Sequence, residues 1–472
     1  MKIVETARKW VIDRMGLGRL AESLLYRRVA KSPWYQGDGT ALLLLVGVQV
    51  VTGAFMTLIY STSPDRAFQS VEYITRIQPM GWFIRGLHYW SAGITMVMLA
   101  VHLFRQIMLA GYKSPREGTW FVGLGLMVGL VVMSFTGYVL RWDERAVYAI
   151  RVALNMFYRV PWIGEELVLL VQGGPSLSSH TLSRFYSVHV VFTPMLLVAL
   201  VGYHLYLVVL YGTTSMLERQ GPVHSAEHQK ELYGEQKESE QLGEPFFPKT
   251  MADTGIMALA VFLVPLAFTL VIGPRELGTQ ANLTSVAFPA EEWWYAWYSG
   301  LIALFPGWLA PIFFVAFPAG ILLLLVLLPL LDRGPYRGYK HRPVFATAAL
   351  LAFASILFLS DLRARSPWTA WPSNDPPPVP HGIKLTAEVE KGRQLFVKYG
   401  CNSCHAVAGF GRKVGPDLAG HDRSLSADEI QGFILRPPAH SSMPSYEGRM
   451  SKEDLERVTS FVHVTQALFH AK

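Results

Sequence analysis

Long apolar runs separated by short polar breaks dominate the first three quarters of the chain. Thr40–Tyr60 reads TALLLLVGVQVVTGAFMTLIY, 21 residues without a charge. At about 1.5 Å per residue a helix of that length crosses a hydrocarbon layer of ~30 Å. Six further runs of similar character lie at Leu87–Ala110, Trp120–Leu140, Val188–Tyr211, Met251–Ile272, Ile302–Leu331 and Val344–Ser360. Seven transmembrane helices are therefore predicted, since core helices of soluble proteins rarely repeat such length without a polar face.

Basic residues orient this array. With the N-terminus inside, the inner segments 1–39, 105–118, 212–250 and 332–343 hold nineteen Lys and Arg, against eight in the outer segments 61–86, 141–182 and 273–301. The excess marks the inner side and places the C-terminus outside, the periplasmic side of a bacterial inner membrane. No apolar segment of a cleavable signal opens the chain. Residues 1–38 mix charge and apolar side chains, as in an amphipathic segment lying on the inner surface.

After Ser360 the pattern changes. Ser366–Pro380, SPWTAWPSNDPPPVP, is a proline-rich spacer that cannot continue a helix. From about Leu385 the chain reads as a small soluble helical domain, with Ser426-Ala-Asp-Glu429 and Ser451-Lys-Glu-Asp454 spaced as helix caps. Composition agrees: 51% of the 472 residues are hydrophobic and only 16% charged, with a net charge of +7. These figures exclude a disordered chain, a collagen-like fibre and a disulfide-rich secreted fold. Lipid is the expected surrounding, and no nucleic acid partner is expected.

Both cysteines fall in one motif, Cys401-Asn-Ser-Cys404-His405. C-x-x-C-H is the attachment site of a covalent haem c, with His405 as one axial ligand. A zinc site would need further cysteine or close histidine ligands, and a redox dithiol would need a βαβ setting. The second axial ligand is expected to be Met443, just before a proline, with Met450 and His440 as competitors. The region resembles a class I cytochrome c, through Gly392-Arg-Gln-Leu-Phe396, the Cys401–His405 motif, Gly415-Pro-Asp-Leu418 and Met443-Pro444.

Two membrane runs carry paired histidines: His88 and His102, 14 apart, and His189 and His204, 15 apart. Fourteen residues rise about 21 Å in nearly four turns, so each pair shares a face with one imidazole near each membrane surface. Intramembrane histidines are costly and mark function. Two non-covalent b haems are expected, one held by His88 with His189 and one by His102 with His204. Gly39 and Gly53, and Gly123 and Gly137, repeat the 14-residue separation and leave room for flat macrocycles. Arg85, Arg105 and Arg184 lie near the histidines, where propionates need cations.

On these residues the first four helices resemble the cytochrome b/b6 family of quinol–cytochrome c oxidoreductases. Gly81-Trp-Phe-Ile-Arg-Gly-Leu-His88, Thr136-Gly-Tyr-Val-Leu140 and Ser183-Arg-Phe-Tyr-Ser-Val-His189 carry the likeness. The 15-residue separation is similar to the b6 branch, and 251–361 looks like the three-helix second subunit of that branch. The likeness implies an all-α membrane protein. Its parts are an inner-surface segment (1–38), a four-helix di-haem bundle (39–211), a polar inner loop (212–250), three further transmembrane helices (251–361), a linker (362–384) and a cytochrome c domain (385–472).

The resemblance also implies quinol oxidation near the outer face and electron passage across the membrane. Expected partners are a Rieske iron–sulfur protein, other bc-complex subunits, a soluble or membrane cytochrome c acceptor and a second copy of the chain. Three departures stand out. Gly37 occupies the place of the b6-branch cysteine that holds an extra haem, Arg141 replaces the proline of a Leu-Pro-Trp motif, and Ala290-Glu291-Glu292-Trp293-Trp294-Tyr295 stands where the family has Pro-Glu-Trp-Tyr. A carboxylate there is suited to accept a quinol proton, a role expected of Glu292, then Glu291, with Tyr295 beside it. The alternative reading is a di-haem electron conduit, or the membrane anchor of another redox complex, without bifurcating quinol chemistry.

Overall fold

A computed structural model describes residues 25–31, 33–158, 160, 162–174, 176–213, 222–239, 241, 243–278, 280–281, 292–305, 309–365, 376–379, 384–411, 415–419, 425–437, 443 and 445–470, with isolated positions 10, 12, 14 and 18. Its helices, in chain order, are α1 (Asp38–Thr57), α2 (Ala67–Arg76), α3 (Gly81–Met108), α4 (Glu117–Val139), α5 (Glu144–Tyr158), α6 (Gly164–Gln172) and α7 (Ser179–Tyr211). There follow α8 (Ala226–Glu238), α9 (Met251–Val271), α10 (Ala296–Ala303), α11 (Ala310–Leu331), α12 (Pro343–Arg365), α13 (Ala387–Lys398), α14 (Ala427–Leu435) and α15 (Lys452–His470). Among the described residues seven helices are long and apolar enough to cross a membrane: α1, α3, α4, α7, α9, α11 and α12.

Contacts divide the chain into two units: Met1–Arg141, Leu154–Leu277 and Trp293–Leu359 form one, and Trp142–Ala153, Gly278–Glu292 and Ser360–Lys472 the other. In the first, α1 packs on α3, α4 packs on α7, and α9 lies against both α1 and α3. Short strands β1 (Arg28–Ala30) and β2 (Gly243–Pro245) pair antiparallel.

Several boundaries differ from the sequence expectation; α7 begins at Ser179 rather than Val188. Helix α3 begins at Gly81 rather than Leu87, and the charge in its first turns, Arg85, is buried with its guanidinium donating to Thr75 Oγ1 at 3.0 Å and to the Arg275 carbonyl. The single run expected at Ile302–Leu331 is two helices, α10 and α11. The sequence Pro306-Gly307 between them supplies the reason, since proline disfavours helix in the residue before it and lacks a donor.

Helix α7 contains a π-turn at Val188–Phe192. Pro194 has no N–H to offer the Val190 carbonyl, and the Thr193 N–H reaches back five residues to Val188. The wider turn takes up one extra residue, which accounts for the 15-residue spacing of His189 and His204.

Position 37 is closed. A Cβ on Gly37 would meet the Thr254 carbonyl oxygen at 2.9 Å and Met257 Cβ at 3.1 Å on α9. Close helix contact, rather than space for a further group, is what that glycine provides.

Where α11 turns into α12, Asp332 sits among buried cations. Lys113 Nζ lies 2.7 Å from Oδ1, Arg342 Nε 2.5 Å from Oδ2, and the Tyr112 hydroxyl donates to Oδ2 at 2.6 Å. Burial opposes the charged carboxylate, but hydrogen bonds from Lys113, Tyr112 and Arg342 win and hold its pKa below the ordinary range. A depressed folded-state pKa adds stability above the unfolded value, and that stability fades as pH falls through the depressed one.

In the second unit, α13 crosses α15 so closely that a Cβ on Gly392 would collide with the Arg457 carbonyl. Phe396 and Phe461 meet edge to face, 5.5 Å apart, at the centre of this small core. Ser426 caps α14 with a reciprocal bond from its N–H to Glu429 Oε2 at 2.9 Å.

Removing the acid between these cations leaves two buried charges uncompensated. Asp332→Ala is expected to cost about 3–5 kcal/mol, read as a lowered unfolding temperature of the detergent-purified protein; an unchanged temperature contradicts the assignment.

Candidate functional site

The four membrane histidines occupy two helices and face two others. His88 and His102 lie on α3, His189 and His204 on α7. A Cβ on Gly53 of α1 would meet His88 Cε1 at 3.3 Å, and one on Gly39 would meet His102 Cε1 at 3.8 Å. On α4, Gly137 stands likewise 2.6 Å from His189 Cε1 and Gly123 3.4 Å from His204 Cε1. Each of the four glycines thus opposes one imidazole. The sequence expectation gave them space for a macrocycle; their immediate effect is to let each ring lie against helix backbone.

His88 and His189 face one another with ring centroids 6.4 Å apart. His102 and His204 are close enough to interact electrostatically. The structure therefore brings together the pairs expected from the sequence.

Three of the four rings have a side-chain partner at Nδ1. Thr52 donates its hydroxyl hydrogen to the Val48 carbonyl at 2.6 Å, so its oxygen accepts from His88 Nδ1 at 2.8 Å. Thr136 repeats this with Val132 at 2.8 Å and His189 Nδ1 at 3.0 Å. His102 Nδ1 donates to Asp38 Oδ2 at 2.9 Å. A ring whose Nδ1 carries the hydrogen keeps Nε2 as its basic nitrogen. These partners were missed from sequence, although a signal existed: Asp38, Thr52 and Thr136 each immediately precede one of the four glycines.

The arginines divide. Arg105 forks onto Asp38, with Nε 3.0 Å from Oδ2 and Nη2 2.8 Å from Oδ1. Arg85 is buried against α2, as described above. Arg184 is exposed and donates to the Leu169 and Leu170 carbonyls.

Toward the other end of α4, Trp294 Nε1 donates to Ser134 Oγ at 2.9 Å and the Tyr295 hydroxyl to the Val131 carbonyl at 3.3 Å. Gly93 makes room for this pair: a Cβ there would meet Trp293 Cζ2 at 2.6 Å and Trp294 Cε3 at 2.9 Å. Burial pushes the Tyr295 phenol above its ordinary pKa, keeping it a neutral donor. The Arg141 guanidinium lies over the Tyr138 ring at 5.1 Å. Glu292, in the second unit, is only 7% exposed; Glu291 lies outside the described residues.

The second unit presents the cysteine motif as a tight turn, with the His405 N–H donating to the Cys401 carbonyl at 2.9 Å. His405 Nδ1 donates to the Pro416 carbonyl at 3.0 Å, again leaving Nε2 basic. Burial holds its pKa below the ordinary histidine range, so the ring is neutral at pH 7. Gly415 opposes this ring too, at 2.7 Å from Cε1. Burial pushes the Cys401 thiol up to about 12, which suits a neutral thioether and disfavours the thiolate of a zinc site or reactive dithiol. Among the described residues no group of three or more His, Cys, Asp or Glu gathers as a metal site. Met443 and Met450 both pack on the domain core that includes Cys401; His440 and Pro444 lie outside the described residues.

Fold and site together define a membrane-spanning helical bundle with two facing imidazole pairs, joined to a small C-x-x-C-H domain. Comparison with known proteins gives the family. A family model described as Cytochrome b/b6/petB matches residues 25–212, and one described as Cytochrome C oxidase, cbb3-type, subunit III matches residues 387–462. The cytochrome bc complex cytochrome b subunit of Chlorobaculum thiosulfatiphilum is 32% identical over 72% of this chain and 76% of its own. Cytochrome b of Rhodospirillum rubrum is 28% identical over 76% of this chain and 85% of its own. A solved Hyperthermophilic respiratory Complex III chain matches with a TM-score of 0.65 and 28% identity, over 76% of this chain and 91% of that one. The chain belongs to the cytochrome b/b6 family. With its cytochrome c domain it is a haem-binding, multi-pass membrane protein of electron transport.

Gly93→Ala forces a methyl group into the Trp293–Trp294 pair. Overpacking of this kind costs about 1–3 kcal/mol, and we expect Trp293→Leu to restore part of the loss in thermal unfolding. Equal stability of Gly93→Ala and the parent protein refutes the contact.

Proposed function

We propose that this chain is the cytochrome b subunit of a bc-type quinol–cytochrome c oxidoreductase, holding two non-covalent b haems and one covalent c haem. The observation that carries the reading is the facing histidine pair. Two metal–imidazole bonds of ~2 Å each, with the ring radii added, need about 6 Å between ring centres, and His88 and His189 stand at 6.4 Å. The Nδ1 bonds to Thr52, Thr136 and Asp38 support the same assignment, because ligating histidines ordinarily give their other nitrogen to a fixed acceptor. His88 with His189, and His102 with His204, are thus assigned as the two axial pairs. In the soluble domain Cys401 and Cys404 are assigned the thioether bonds, His405 one axial position and Met443 the other. The haems, when bound, supply one-electron transfer between the two membrane faces and on to the outer carrier.

The residues' own work is binding, orientation and proton handling. The Thr52 and Thr136 hydroxyls hold each imidazole in the tautomer that offers Nε2. Arg184 is assigned to the propionates of the His88–His189 level; Arg85 and Arg105, expected in that role from the sequence, are held instead by Thr75 with the Arg275 carbonyl and by Asp38. Glu292 accepts a proton from quinol near the outer face, with Glu291 as the second candidate, and Tyr295 follows them in the chain with its hydroxyl hydrogen given to the Val131 carbonyl. Relatives named for a bc complex and a respiratory Complex III support partnership with a Rieske iron–sulfur protein, further subunits, a cytochrome c acceptor and a second copy of the chain. The basic loops support a bacterial inner membrane location, with a cytoplasmic N-terminus and a periplasmic c domain. Arg141, stacked on Tyr138 where the family has proline, favours a second reading: a di-haem conduit that does not split the two electrons of quinol.

Haem stoichiometry tests the cofactor assignment. Pyridine haemochrome spectra should give two b haems per c haem, and Gly137→Ala, which drives a methyl into His189, should lower the b content. Gly39→Ala, with ordinary contact at 3.8 Å, should keep both. Equal b content in the two variants overturns the assignment.

For the proton acceptor, Glu292→Gln should lower quinol:cytochrome c turnover by about 10²-fold or more with haem content unchanged. Full turnover removes Glu292 from that role. Absence of any inhibitor-sensitive quinol oxidation by the parent complex would favour the conduit.

A further inference from the structure

Resting on the bis-histidine reading above, we infer that Asp38 is a positioning residue that sets the haem potential at the His102 level by placing a buried carboxylate on His102 Nδ1. His88 and His189 give Nδ1 to the neutral hydroxyls of Thr52 and Thr136. His102 instead gives it to a carboxylate oxygen at 2.9 Å, and that carboxylate is 1% exposed. The two levels are therefore chemically unequal at a point invisible in the ligand set.

A carboxylate acceptor draws the Nδ1 hydrogen toward itself and leaves electron density on the ring, making Nε2 a stronger donor to iron. A stronger donor favours ferric over ferrous iron and lowers the reduction potential. The buried negative charge acts in the same direction, since it too favours the state with the larger positive charge on the metal. Arg105 offsets part of that charge and fixes the arrangement. Its hydrogen bond from Nε to Oδ2 at 3.0 Å and the 2.8 Å ion contact of Nη2 with Oδ1 hold the carboxylate toward the ring, and the adjacent guanidinium charge favours the ionised carboxylate. Asp38 opens α1, next to Gly39. The Asp38-Gly39 step and the Arg105 turn of α3, 67 residues apart in sequence, thus make one device.

The experiment is a redox titration of the purified complex, following both b haems optically, with the g-values of each low-spin ferric haem read by electron paramagnetic resonance. Asp38→Asn keeps the shape and an acceptor oxygen but removes the charge. It should raise one b midpoint and shift that haem's g-anisotropy, leaving the other b haem unmoved, while Thr52→Val should act on the other haem only. If Asp38→Asn loses the haem, Arg105→Gln decides, because it leaves the carboxylate on His102 and takes away its counter-charge. The same midpoint must then fall. Unmoved midpoints and g-values in a variant retaining both b haems overturn the inference. A parent protein that does not carry two b haems overturns instead the reading on which it rests.

Discussion

An imidazole in a hydrocarbon layer is unfavourable unless both nitrogens are employed, and this requirement organises the bundle around α3 and α7. Three of the four rings find a side-chain acceptor for the Nδ1 hydrogen and are left with Nε2 to aim at something that rewards its burial. The acceptors come from α1, as Thr52 and Asp38, and from α4, as Thr136. That choice dictates the pairing of helices, α1 with α3 and α4 with α7. It also dictates the glycines, because a ring reaching an acceptor on a neighbouring helix must pass where a side chain would otherwise stand. The threonines face a second demand. A hydroxyl that donates to the carbonyl four residues back has no hydrogen left, so it serves the ring as a pure acceptor and selects the tautomer.

The membrane helices were legible because each is a run of apolar residues long enough to span, and length alone separates such runs from core helices. The histidine pairs were legible for a related reason: nothing but function keeps an ionisable group at that depth twice over on each of two helices. What escaped the sequence is what depends on partners distant in the chain. Arg85 and Arg105 were both expected beside a propionate, yet Thr75 and the Arg275 carbonyl, 190 residues away, hold the first, and Asp38 holds the Nε–Nη2 edge of the second. No local pattern announces such pairings.

The extra residue between His189 and His204 has a visible home. In an ideal helix 14 residues end about 40° short of four whole turns and 15 about 60° beyond them. The π-turn before Pro194 takes up that residue, and Gly137 and Gly123 of α4 still oppose the two rings in turn. The proline that forces the turn was visible in the sequence. Its consequence for histidine register was not, because it depends on the backbone choosing a wider turn over a kink.

The outer region carries a different kind of constraint. Trp294 and Tyr295 are anchored to α4 by the Ser134 and Val131 contacts, and Gly93 of α3 accepts the bulk of Trp293 and Trp294. Aromatic rings of this size cannot be shifted without moving helices, so the short helical turn that follows Glu292 is held to the bundle rather than left as a loose connection. Rigidity at this position therefore does not depend on the family's proline: aromatic side chains packed against α3 and α4 supply it. The substitution of proline by Arg141 makes the same argument from the opposite side of the motif. Its guanidinium stacks on Tyr138, one helical turn back, and side-chain packing there holds the end of α4 where the family relies on a restricted backbone. The family's backbone devices can thus be replaced by packing ones while the histidine geometry beneath them stays intact.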